Sequence, residues 1–261
     1  MFNPLRLCPR TGMLFLFLFS FSADAMQLPP PVRYWHGAVF GEGDKDPFSA
    51  LASPSLLATA TAALSAYSTW PFGMRSVPLN AVAAMLPIRN MGIGMQVMQF
   101  GNQYWKEQEL SGGAGIRLGK PVQAGVQFGY RSKAVVQYGS SGQVVAGAGF
   151  RWKMGKRWTS AMQVIRRDYT QYFAGIGWQP SPDFLFSVEG TNTIHKDYYG
   201  TVQAFSRLAP ALALQLAVTG LPAYLQTLVM ITIRQLRIDI GAALHQQLGL
   251  TPSVTVVWQK Q

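Results

Sequence analysis

The chain has 261 residues, of which 49% are apolar and only 13% charged, with 26 glycines and a formal net charge of +11. That length suits one large domain, and the apolar content excludes a disordered chain. No apolar run of about 20 residues follows the N-terminus, which excludes a bundle of membrane-crossing helices and leaves strands as the membrane option.

The first 25 residues read as a secretory signal peptide. Arg6 and Arg10 precede the apolar run MLFLFLFSF, and Ala23-Asp24-Ala25 supplies a small-x-small exit. Cys8, the sole cysteine, lies before the apolar run and is expected to leave with the signal. The mature chain is then expected to lack disulfides, a thiol nucleophile and thiolate metal ligands. Residues 26–58 form a second unit, with Pro punctuation, clustered charges and no period of two. A short helix is predicted from Asp46-Pro47-Phe48, because Asp46 suits the N-cap and Pro47 the first helical position. This unit is expected at the periplasmic mouth or as a plug.

From residue 59 to residue 261 the pattern becomes alternating, as in a β-strand whose side chains face opposite ways at successive positions. MGIGMQV puts Met91, Ile93, Met95 and Val97 on one wall. LSGGAGIRLG opposes Leu110, Ala114 and Ile116 to Ser111, Gly113, Gly115 and Arg117. PVQAGVQFGYR places Val122 to Tyr130 at even positions against Gln123, Gln127 and Arg131. QVVAGAGFRWK sets Val144, Phe150 and Trp152 against Arg151 and Lys153. ALALQLAVT, LRIDIGAAL and SVTVVW repeat the scheme, with Gln215, Arg237, Asp239 and Thr255 on the polar wall. TATAALSAYSTW and LQTLVMITIR alternate only weakly.

Segments of this length match a tilted strand crossing a bilayer, about 9–11 residues. Short turns are predicted at Arg89-Asn90, Gly119-Lys120, 154–156, 180–182 and 208–210, and longer loops near 101–106, 132–141 and 192–197. The count is about fourteen strands. A soluble sandwich would need bulky residues on the inward wall to fill a core, whereas here that wall carries Gly, Gln, Ser and Arg. The fold class expected is an all-β, transmembrane antiparallel barrel in the outer membrane of a Gram-negative bacterium, its apolar wall toward lipid. A secreted soluble β-protein is the competing reading.

The stretch running from DPFSALASPSLLATATAALSAYSTW to SGGAGIRLG resembles the PorV/PorQ-like outer-membrane barrels of Bacteroidota, which are related to the FadL fatty-acid transporter. The group often carries an Asn-Pro-Ala-Gly/Ser-Leu-Ala segment before its first strand, and Ser53-Pro54-Ser55-Leu56-Leu57-Ala58 stands in that place here. The tail RIDIGAALHQQLGLTPSVTVVW is similar to the group's last hairpin, with its His-x-Gln-Leu-Gly-x-Thr-Pro loop. The resemblance covers about residues 46–258. It implies a fourteen-stranded barrel with a short N-terminal segment near or inside the periplasmic mouth. It implies two functions without choosing between them: passive uptake of fatty-acid-like molecules, or a shuttle or scaffold role in type IX secretion.

Catalytic chemistry finds little support. His36, His195 and His245 form no metal-ligand spacing, no Gly-x-Ser-x-Gly elbow occurs, and the close glycines are explained by strand alternation. No enzyme activity, cofactor or metal is expected. Asp239 and Arg237, with His245 near the loop end of their strand, read as a structural ion pair.

The basic charge is more informative. Arg6, Arg10 and Asp24 leave with the signal, so the exported chain keeps a net +10. Export argues against nucleic acid as partner. The inward register holds Arg117, Arg131, Arg151, Lys153 and Arg237, with Arg157 and Arg234 as further candidates, offset by Glu109, Glu189 and Asp239. Inward guanidinium groups concentrate anions and hold carboxylate or phosphate in a fork; the alternative is that they brace the wall against acids and carbonyls. Met95, Met98, Phe100, Tyr172 and Phe173 are candidate lining residues. Trp70, Trp105, Trp152, Trp158, Trp178 and Trp258 fall near strand ends, as an aromatic girdle does. The expected function is a FadL-like passive channel for hydrophobic or amphiphilic anionic molecules. The expected partners are outer-membrane lipid, lipopolysaccharide and such a small molecule, or, on the scaffold reading, envelope secretion proteins.

Overall fold

The computed structural model describes residues 46–194, 198–220 and 224–260. The signal-peptide reading, residues 26–45, His36 and His195 lie outside those residues. A short helix α1 (Pro47–Ala52) and a 3-10 segment (Pro54–Thr59) precede fourteen strands: β1 (Ala63–Thr69), β2 (Leu79–Ile88), β3 (Met91–Gly101), β4 (Trp105–Arg117), β5 (Val122–Val135), β6 (Gly139–Met154), β7 (Trp158–Arg166), β8 (Thr170–Ser181), β9 (Phe184–Thr193), β10 (Tyr198–Ala209), β11 (Leu212–Thr219), β12 (Tyr224–Ile233), β13 (Leu236–His245) and β14 (Gly249–Gln259). Each strand pairs antiparallel with its neighbours in sequence, and β1 pairs with β14 to close the barrel. Closure leaves no unpaired edge in the hydrocarbon region, where unsatisfied backbone groups would be costly.

The period of two decides which wall faces where. On β5, Val126, Phe128 and Tyr130 are 46%, 62% and 56% exposed, while Gln127 among them and Arg131 after them are 1% and 3% exposed. Leu64, Val82, Val97, Val144, Val218 and Ile240 repeat the outward placement on six other strands. A continuous exposed apolar surface of this extent needs hydrocarbon around it. The polar residues of the same strands turn into the lumen. This is an outer-membrane barrel.

One end holds both barrel termini and the tight connections, such as Arg89-Asn90 between β2 and β3. It is the periplasmic end. Trp152, Trp158, Trp178 and Trp258 lie outward near it, the rings of Trp158 and Trp178 being 6.3 Å apart. Tyr130, Tyr172 and Tyr198 lie outward near the other end. Indole and phenol groups therefore mark the two interfacial levels.

Several sequence expectations need correction. The predicted long loops are mostly ladder: β5 runs to Val135 and β6 starts at Gly139, with Ser132 opposite Gly142 and Ala134 opposite Ser140. Polar side chains there do not end the strands, because paired backbone groups hold a hairpin together beyond the apolar belt. Gly101, Trp105 and Thr193 are likewise strand residues. Trp105 turns inward onto Phe100, with ring centroids 5.1 Å apart, and so leaves the girdle. Arg157 and Arg234 sit exposed in periplasmic turns and not on the inward wall.

The weakly alternating strands have a physical explanation. In β1 the inward residues Ala63 and Tyr67 join an apolar core inside the barrel, and in β12 the inward Leu228 and Met230 pack with Phe205 and Ala213. Both faces of these strands are therefore apolar in part.

Candidate functional site

The functional interior is built from the segment before β1. Asp46 caps α1, its Oδ1 accepting from the Phe48 N–H at 3.1 Å, and Pro47 occupies the first turn, as expected from the sequence. Ser53 ends the helix, and Pro54 prevents its continuation, so the chain turns into the 3-10 segment. Phe48, Leu51 and Leu57 are completely or nearly completely buried. They pack inside the barrel with Tyr67, Leu79, Met85, Met98 and Phe100, the rings of Phe48 and Tyr67 being 6.1 Å apart. The segment is thus a plug with its own apolar seat.

Glycines make the seat possible. A Cβ at Gly125 would run into the Pro54 carbonyl, and one at Gly115 into the Ala58 backbone. The plug backbone can lie flat on β4 and β5 only because those side chains are missing. Polar ties add to the packing. Gln163 Nε2 donates to the Ala52 carbonyl at 2.6 Å, Arg117 Nε donates to the Ala58 carbonyl at 3.1 Å, and Arg237 Nη2 lies 3.7 Å from Asp46 Oδ2.

The lumen consequently has two kinds of wall. Strands β1 to β6 meet the plug through apolar residues and glycine. Strands β9 to β12 carry inward Glu189, Thr191, Thr201, Gln203, Gln215 and Gln226, all buried from bulk solvent.

The five inward cations have different fates. Arg131, 3% exposed, donates to Glu107 at 2.8 Å and to Asp168 at 3.1 Å, above the plug at the extracellular end. Lys133 lies 3.5 Å from Asp168, and Arg167 lies 3.7 Å from Glu109, extending that network. Arg237 Nε is 3.1 Å from Asp239, so that strand carries the expected ion pair, with Asp46 as an added partner. His245 stands at the extracellular end of β13 and accepts from the Gln247 and Leu248 N–H groups, apart from Arg237. Arg117 ties the plug. Lys153 is partly buried near the periplasmic end of β6. Arg151, 1% exposed, has no acceptor within hydrogen-bond distance of its Nε or Nη1.

Of the five predicted lining residues, Met98 and Phe100 belong to the plug seat and Phe173 packs inward on Ala161. Met95 and Tyr172 instead face outward, 56% and 47% exposed, because their strands place them on the lipid parity. The sequence placed the glutamines on the lumen wall but did not name them as site residues. Their signal was present: Gln96, Gln123, Gln127, Gln163, Gln203 and Gln215 all fall on inward positions of apolar strands. Among the described residues, no three His, Cys, Asp or Glu side chains group to hold a metal ion.

No protein-family model and no curated protein matches the sequence. Solved structures do match the fold. The monoaromatic hydrocarbon channel CymD aligns with a TM-score of 0.69 at 8% identity, covering 89% of this chain and 97% of its own. A Pseudomonas aeruginosa FadL homologue aligns with a TM-score of 0.60 at 9% identity, covering 82% and 94%. The Acinetobacter baumannii outer-membrane protein Omp33 aligns at 0.55 and 7% identity, covering 77% and 98%. At such identities the likeness is one of fold: a closed outer-membrane barrel of the kind used by those proteins.

Proposed function

We propose that this protein is a passive outer-membrane channel for small hydrophobic or amphiphilic molecules, favouring those with an anionic head group, and that it has no catalytic activity. The observation that carries the reading is the lumen itself. A lipid-facing barrel encloses a short plug seated on one wall, beside an opposing wall rich in amides and hydroxyls, with Glu189 and a small apolar cluster among them. Such a wall offers hydrogen bonds without strong binding, which suits passage over retention. The fold likeness to channels for monoaromatic hydrocarbons and to a FadL homologue supports the same class of cargo. The excess of inward cations supports the anionic preference. On this reading residues 26–58 act with the barrel as plug, and the mature chain begins after the signal.

A scaffold or shuttle role in a secretion or surface-assembly complex of the PorV/PorQ type is the second reading. It is supported by the plug, which fills part of the lumen, and by the β5–β6 hairpin, whose tip residue Tyr138 is 89% exposed. Liposome uptake separates the two. Purified barrel in vesicles should admit benzyl alcohol faster than protein-free vesicles, and loss of the plug ties through Gln163→Ala with Arg117→Ala should raise the rate severalfold. Uptake at the protein-free rate in both would remove the channel reading and leave the scaffold.

A further inference from the structure

Arg151 is the largest of the fully buried side chains, and three of its five N–H donors, those on Nε and Nη1, meet no acceptor. It makes no ion pair with any described residue, whereas Arg131 and Arg237 each face two carboxylates. Burying a guanidinium without a counter-charge is costly, so its position calls for a partner.

The surroundings are built on one lateral row. Arg117 on β4 stands opposite Gln123 on β5, and Gln123 stands opposite Arg151 on β6. The next positions in the row are Ala161 and Gly175, which are small, and no acid appears before Glu189 on β9. Gln123 is 3% exposed, with an Oε1 that has no partner. Lys153 lies two residues below Arg151 on the same face. Directly above, Gly125 and Gly149 receive the plug at Pro54–Ser55. The row therefore lies immediately on the periplasmic side of the plug.

We propose that Arg151, with Gln123, forms an oxyanion subsite beneath the plug, which takes the carboxylate of a small amphiphile on its way out of the lumen. This rests on the channel reading for the direction of travel, but not for binding itself. A planar carboxylate matches the guanidinium fork better than a tetrahedral phosphate does. The Gln123 amide rotates to donate to one of the anion's remaining lone pairs.

The test is equilibrium binding to the folded barrel in detergent, with benzoate, inorganic phosphate and benzyl alcohol as probes. Wild type should bind benzoate saturably. Arg151→Gln should weaken it at least tenfold, Arg151→Lys by less, and Arg207→Gln at the periplasmic rim not at all. Benzyl alcohol should bind equally to all four proteins. Phosphate bound in place of benzoate and lost in Arg151→Gln would support the oxyanion subsite and assign it a free anion as occupant. Benzoate bound equally by wild type and Arg151→Gln, or neither benzoate nor phosphate bound saturably by wild type, would overturn the proposal. Heat-modifiable gel mobility verifies folding, and if Arg151→Gln fails it, Arg151→Lys carries the comparison. Because binding is read without transport, failure here leaves the vesicle uptake of benzyl alcohol, and hence the channel reading, intact.

Discussion

The β1–β6 wall and the β9–β12 wall of this barrel solve different problems with the same alternating strands. On the first, Ala, Met, Phe and Gly form a dry seat under Phe48, Leu51 and Leu57 of the plug, with inward charges such as Arg131 and Arg151 placed above and below it. On the second, Gln, Thr, Ser and Glu share the inward positions with the small cluster of Ala213, Leu228 and Met230, and Thr201 bonds Thr219 sideways at 3.1 Å. The outward faces of both sectors are equally apolar. Inward chemistry thus varies freely once the outward parity is met, and it is the inward side that divides the plug's seat from the wall opposite.

Variants that break this division should be ranked by how much of the seat they remove. Phe48→Ala should weaken plug seating by about 3–5 kcal/mol, the cost of truncating a buried phenyl group. It should expose the segment before β1 to limited proteolysis, while Phe205→Ala on the opposite wall should not. Arg131→Met should cost the barrel about 3 kcal/mol in denaturant unfolding, because Glu107 stays buried with only Lys133, 3.7 Å away, to face it. Gly125→Ala should unseat the plug by about 1–3 kcal/mol, since its methyl group meets the Pro54 carbonyl. Asp46→Ala should cost about 1 kcal/mol as a lost helix cap, with loss of the Arg237 contact added. Gly149→Ala, directly opposite Gly125, should change stability by less than about 0.5 kcal/mol, because its methyl group meets Pro54 Cδ at an ordinary 3.6 Å. Equal effects from the last substitution and its Gly125 counterpart would mean the plug does not lie where described.

The strand faces were legible because lipid imposes a local rule, one apolar residue in two, that can be read within a single strand. Val122 to Tyr130, Val144 to Trp152 and Leu236 to Leu244 follow it. The Asp46–Pro47 cap was legible for the same reason: its chemistry is complete within three residues. The lumen was not. Whether an inward arginine is paired depends on residues far away in the chain, as with Arg131 and Asp168, 37 positions apart, or Arg237 and Asp46 across the whole barrel. Strands such as β1 and β12 hid their parity because an apolar interior neighbour replaces the usual polar lining. The hairpin tips were misjudged because polar composition indicates solvent, not the end of a ladder.

The seat of the plug admits a direct test. In a Cys8→Ser background, Ser55→Cys with Gly149→Cys places two thiols across the seam where a Gly149 Cβ would lie 3.6 Å from the Ser55 nitrogen. Mild oxidation of the folded, membrane-embedded barrel should close a disulfide and shift its gel mobility, with heat-modifiable behaviour retained. Free thiols after oxidation in a barrel that is otherwise folded would contradict a plug lodged inside the lumen against β5 and β6.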